Sequence, residues 1–193
     1  MSTEWVAAIA SAGTFIVIAA SAVAALVQLR HTRGSNQIIA LTEIRETLES
    51  PYFREAQRFV SYELPKRLQD PDERLRIAQP QSQFEGEYQA IDTVANFFEN
   101  LGVFVKNRII DRNIACDMWS YVILRNWNAL LPIVTFVRED LESPSVWENF
   151  EYLALISKRY MDAHPEGTYP RELPHMPTDR SFIEAVKGQS HVG

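Results

Sequence analysis

Between Glu4 and Arg30 the chain carries no Asp, Glu, Lys, Arg or His, and the 25 intervening residues read WVAAIASAGTFIVIAASAVAALVQL. As a helix rising about 1.5 Å per residue, such a run spans roughly 37 Å, enough to cross a hydrocarbon layer of about 30 Å. Its polar residues are Ser11, Thr14, Ser21 and Gln28. The hydroxyls can bond back to the helix backbone, and Gln28 falls at the expected interface. A cleaved secretory signal needs a basic leader and an apolar run of about 7–15 residues. Here the leader is Met-Ser-Thr-Glu and the run is longer. A buried core helix would need an apolar shell that the rest of the chain cannot supply. The pattern therefore predicts a retained transmembrane helix over residues 5–29, preceded by a short outward segment, 1–4.

Past the span the periodicity becomes that of amphipathic helices, and no strand or hairpin-turn pattern emerges. Residues 30–50 are either a linker broken at Gly34-Ser35 or one continuing helix through Ile38, Leu41, Ile44 and Leu48. Ser50-Pro51 and Asp70-Pro71 each offer a capping side chain followed by proline at the first helical position. Ser145 with Glu148 makes a capping box for a helix to about Ala163.

The longest helix is expected from Gln83 to Lys106, with an apolar arc that runs from Tyr88 to Val105. An arc that wide belongs to a helix with several neighbours, and Gly102 marks a close approach by one of them. Asp111 should cap the next helix, to about Trp127, with Pro132 ending or kinking it before a further segment to about Leu141. Pro165, Pro170, Pro174 and Pro177 make an extended tail, with a short helix near Ser181–Lys187. The expected fold is all-α, with one transmembrane helix, a helical bundle at 51–163 and a Pro-rich tail at 164–193.

Charge sets orientation and excludes one class of partner. Arg30 and Arg33 follow the span directly, which places the carboxyl-terminal side in the cytoplasm and the amino terminus outside. From Gly34 onward 24 acidic residues face 17 basic ones, a balance that argues against nucleic acid. The single cysteine, Cys116, sits among Ile114, Ala115 and Met118 and reads as a buried, inert thiol.

Candidate chemistry is sparse, and it points away from an enzyme. His31, His164, His175 and His191 include no pair at the spacing of a zinc helix. Glu172 and His175 have di-iron spacing, but Pro174 between them prevents a shared helix face. No cofactor or metal is implied. Asp92, Asn96 and Glu99 recur at helical spacing and read as a solvated polar stripe rather than an acid–base pair.

Arg159 and His164 form R-x-x-x-x-H, which resembles the active-site motif of the HEPN helical ribonucleases. The resemblance implies that both would serve attack by a 2′-hydroxyl. With 15 arginines and four histidines in 193 residues, about one such match arises by chance. Ala7, Ser11, Thr14, Ser21 and Ala25 form a small-residue seam on the span, suited to a homodimer.

Two phrases, LRHTRGSNQ at the end of the span and FFENLGVFVKNRIID from Phe97 to Asp111, resemble a family of small bacterial membrane proteins described only as a domain of unknown function. The resemblance implies a bacterial inner-membrane protein with a helical cytoplasmic domain, and it transfers no site residue. The expected role is a membrane-anchored interaction or regulatory module with a protein partner, the alternative being the HEPN-type ribonuclease.

Overall fold

The apolar run does not end where its charges begin. In the computed structural model, which describes residues 3–79 and 86–183 (for 4–10, 30, 31 and 33 the backbone alone), α1 runs unbroken over Thr3–Glu49, 47 residues. At about 1.5 Å per residue this helix is roughly 70 Å long. Gly34 lies inside it with open space around its α-carbon, so neither Gly34 nor Ser35 makes a joint. The part from Ser11 contains an 18-residue window of mean hydropathy 2.1, none of it buried. Phe15, Ile16, Val17 and Ile18 are all more than 60% exposed. The carboxyl-terminal part behaves differently: Ile44 is buried, and Ala40, Leu41 and Leu48 pack against the core.

The remaining elements are α2 (Pro51–Arg58), a π-turn (Phe59–Glu63), α3 (Leu64–Arg67), α4 (Pro71–Ile77), α5 (Gly86–Lys106), α6 (Arg112–Asp140) and α7 (Glu148–Ala163). No strand occurs among the described residues. The expected start of the longest helix at Gln83 lies outside them. Three predicted caps form. Ser50 Oγ accepts from the Phe53 N–H at 3.2 Å, Asp70 from Asp72 at 2.9 Å, and Asp111 from Asn113 and Ile114 at 2.8 and 3.1 Å.

α5 is the central helix. Ile91, Val94, Ala95, Phe98, Leu101 and Val105 are buried along it, and it packs against α2, α6 and α7. An aromatic cluster joins these four helices. Phe98 stacks on Phe150 of α7 at 5.0 Å between centroids, Trp127 of α6 meets Phe150 edge-on at 5.1 Å, and Phe53 of α2 lies 4.6 Å from Phe97. After Lys106 the chain turns through Arg108 in the left-handed region (φ 59°). The Ile109 N–H donates back to the Phe104 carbonyl at 2.9 Å, and Ile110 is fully buried.

Two expectations need correction. Pro132 neither ends α6 nor divides it: the helix spans 29 residues with Pro132 inside. Pro132 and Asn128 both lie on the exposed side, so the carbonyl that loses its donor does so facing water rather than the core. The Ser145–Glu148 capping box does not form. Ser145 Oγ pairs instead with Ser143 Oγ at 3.0 Å, residues 144–147 make a turn, and Trp147 takes φ 54° immediately before α7.

The chain divides into two units, Met1–Ala163 and His164–Gly193. In the second, the described residues 164–183 are exposed, and the Tyr169 ring stacks on His175 at 4.3 Å. Residues 181–183 are helical, and the rest of the expected 181–187 helix lies outside the described residues.

Gly102 marks a close approach of α7 to α5, because a β-carbon there would overlap the backbone carbonyl of Asn149. Overpacking of this kind costs about 1–3 kcal/mol. Gly102→Ala should therefore lower the thermal unfolding midpoint of the bundle, followed by tryptophan fluorescence. An unchanged midpoint would mean that α5 and α7 have room to separate.

Candidate functional site

The polar face of α5 is where sequence reading placed a solvated stripe; Asn96 and Asn100 are exposed there, while Asn96 and Glu99 also bond to the start of α7. Asn96 Oδ1 accepts from the Trp147 indole N–H at 2.9 Å. Glu99 accepts from Asn149 Nδ2 at 2.6 Å and from the Phe150 backbone N–H at 2.8 Å. The first turn of α7 thus receives its acceptor from another helix. A carboxylate at a helix amino terminus also opposes the positive end of the helix dipole. Asp92 is half-buried, and burial pushes its carboxyl above the usual carboxylate range, against a hydrogen bond with Asn96. Asn96 and Glu99 fasten α7 to α5, and Asp92 bonds to Asn96 within α5.

A second polar constellation does line a cavity. Pro65 has no N–H and its ring crowds the carbonyl four residues earlier, Ser61. The chain widens there into the π-turn, where the Leu64 N–H reaches back five residues to the Phe59 carbonyl. Such turns recur at functional sites. Here the widening sets Ser61 and Tyr62 beside α6, at a cavity of about 210 Å³. Arg54 and Gln57 of α2 and Tyr121 and Arg125 of α6 complete most of its wall.

The guanidinium of Arg125 lies over the Tyr62 ring, 3.8 Å from its centroid. That contact fixes a long side chain that would otherwise be free. Ser61 Oγ donates to Asn126 Oδ1 at 3.2 Å, and Asn126 Nδ2 donates to the Val122 carbonyl at 2.8 Å. Gln57 Nε2 is buried and finds no acceptor among the described residues. Arg58 also lines the cavity, but its guanidinium is paired with Glu63. It faces a second cavity of about 360 Å³ as well, whose wall holds Glu55, Glu63 and Glu87.

The first cavity is therefore rich in donors, with three arginines and no carboxylate in its wall. It contains no general base and no nucleophile aligned to one. Its chemistry is that of holding an anion. Its signals in sequence were only Arg54 and Arg58, and Tyr121 and Arg125, each pair four residues apart. Nothing local links the two pairs.

The other predicted residues are dispersed. Arg159 is exposed on α7, and His164 begins the second unit. They line neither of these cavities. Cys116 is buried, and burial pushes its thiol up while the neighbouring Ser120 and Ser157 pull it down. Ser11, Thr14, Ser21 and Ala25 are exposed on α1, and the side chain of Ala7 lies outside the description. His31 and His191 also lie outside it.

An all-helical chain led by a helix long and apolar enough to cross a membrane is the class that fold and composition define. The chain belongs to the family described as Domain of unknown function (DUF4760), whose model matches residues 15–157. The match begins inside the apolar run and contains the phrase from Phe97 to Asp111. No curated protein and no solved structure matches it.

Two measurements test the α5 face. Glu99→Ala leaves the Phe150 N–H without its acceptor, and such a loss costs about 1–3 kcal/mol. Urea unfolding should show a lower midpoint for Glu99→Ala, and an unaltered one would deny the cap its role. For Asp92 the sign is opposite. Its folded pKa is raised, so the folded state binds the proton more tightly than the unfolded one. Stability gained at low pH is lost as pH rises through that value. Asp92→Asn should be more stable than the parent near pH 7, with the difference vanishing near pH 3. A difference independent of pH would rule out the buried charge as its cause.

Proposed function

We propose that this protein is a membrane-anchored helical interaction module: α1 is its single span, the amino terminus is outside, and the bundle works on the cytoplasmic face. One observation carries the reading. The same unbroken helix is apolar and exposed from Ser11 to Leu29 and buries Ile44 in the bundle core farther along. Water does not favour a sleeve of exposed Phe, Ile, Val and Leu, whereas a hydrocarbon layer does. The family match starts at residue 15, inside the run, which supports a retained segment over a discarded signal.

Arg30 and Arg33 give the direction by their place in the sequence. Because α1 does not break at Gly34, the bundle is held at a fixed distance and angle from the span rather than swinging on a linker. That suits a protein presenting one surface to a partner already at the membrane, where local concentration is raised. The seam of Ser11, Thr14, Ser21 and Ala25 supports self-association through the span.

Membrane fractions from cells expressing the chain with a carboxyl-terminal epitope test the reading. The protein should stay in the pellet through alkaline carbonate, and the epitope should resist external protease until the cells are lysed. Release by carbonate would refute the anchor; cleavage in intact cells would refute the orientation.

A further inference from the structure

We propose that the cavity between α2, the π-turn and α6 binds a small phosphate-bearing anion. The inference is independent of the anchor, since every residue it uses belongs to the bundle.

The charge of the cavity is the first argument. Acidic residues outnumber basic ones, 25 to 19, over the whole chain, yet Arg54, Arg58 and Arg125 line this wall without a single carboxylate. Three arginines bordering one small space raise the local positive potential and favour an anion there. Arg58 is paired with Glu63 and Arg54 lies within electrostatic reach of Glu49, so the cavity depends most on Arg125 and then on Arg54. Arg125 is held in place by Tyr62 before any ligand arrives, so less of its freedom is lost on binding.

The second argument is a missing acceptor. A buried amide donor without a partner is costly, and native structures rarely keep one without cause. Gln57 Nε2 is such a donor, on a residue that borders this cavity. A small rotation of the Gln57 amide toward the cavity would let an oxyanion there supply the acceptor.

Size and donor number select the ligand class. At about 210 Å³ the space is below the roughly 300–1,000 Å³ of sites for drug-sized molecules, so it suits a phosphate with a small substituent rather than a nucleotide. Two guanidinium groups and an amide offer more donors than a carboxylate's two oxygens can use, whereas a phosphate presents three terminal oxygens to planar guanidinium forks.

The test uses the full chain in neutral phosphatidylcholine nanodiscs. Inorganic phosphate should raise the unfolding midpoint above that in chloride at matched ionic strength, because a ligand for the folded state stabilises it. Arg125→Gln should weaken phosphate binding, measured by calorimetry, about tenfold or more. Arg54→Gln should do the same, and it serves if the Arg125 variant loses helicity. Gln57→Leu removes the orphaned donor, so its midpoint in chloride should not fall while its response to phosphate shrinks. Arg74→Gln, an exposed change on α4, should respond as the parent does.

Equal midpoints in phosphate and chloride would overturn the proposal. So would a phosphate response that survives both cavity arginine substitutions. Glycerol 3-phosphate and vesicles containing phosphatidate separate the sources of the group. Arg125-dependent binding of the soluble ester assigns a free metabolite, and Arg125-dependent binding of vesicles alone assigns a lipid headgroup. Failure of both would defeat the assignment to a phosphate ester.

Discussion

The bundle depends on how closely α7 lies against α5 at Gly102. The absence of a side chain there lets the backbone of Asn149 sit where a β-carbon would be. That approach brings the first turn of α7 within reach of Glu99 and Asn96. It also places Phe150 on Phe98, and Phe150 in turn supports Trp127 of α6. One small residue thus aligns a cap, an indole hydrogen bond and an aromatic cluster. The cost is local: Trp147 is held at positive φ, a conformation that a bulky residue adopts only when surrounding contacts compel it. Its buried ring and the bond to Asn96 supply that compulsion.

Continuity of α1 is the second constraint, and it links stability to placement. Ile44 in the core and the exposed apolar stretch upstream belong to one helix, so motion of the bundle relative to the apolar stretch would require bending that helix. Proline, glycine pairs and π-turns are the usual causes of sharp bends. α1 holds no proline, and its Gly34 stands in an unbroken helical segment. The π-turn comes later, after α2, where Pro65 forces it. There the irregularity opens a polar cavity beside α6 rather than a joint.

Charge is organised in the same uneven way. Arg67, Arg76, Glu73 and Glu87 form a network that ties α3 and α4 to α5. These groups are about a third exposed, so they select an arrangement more than they stabilise it. At the π-turn the arginines have no such complement, apart from Arg58 with Glu63. A chain with an acidic excess has gathered three arginines and no carboxylate in the wall of one small cavity.

The sequence alone determined the helices, three of their caps, the apolar run and the tight approach at Gly102. Each is a local matter: a missing charge, a side-chain oxygen two or three residues from an orphaned N–H, a glycine on an apolar arc. Even the family could be read from two phrases, LRHTRGSNQ at the end of the span and the stretch from Phe97 to Asp111. Tertiary structure alone decided where α7 begins, because its acceptor is Glu99, some 50 residues upstream, and the local pair Ser145–Glu148 lost that competition. It also decided that Pro132 is tolerated, since a proline's effect depends on which side of the helix faces water. The arginine cavity was illegible for the same physical reason. Arg54 and Arg125 lie on different helices about 70 residues apart, and only packing around the aromatic cluster brings their charges to one place.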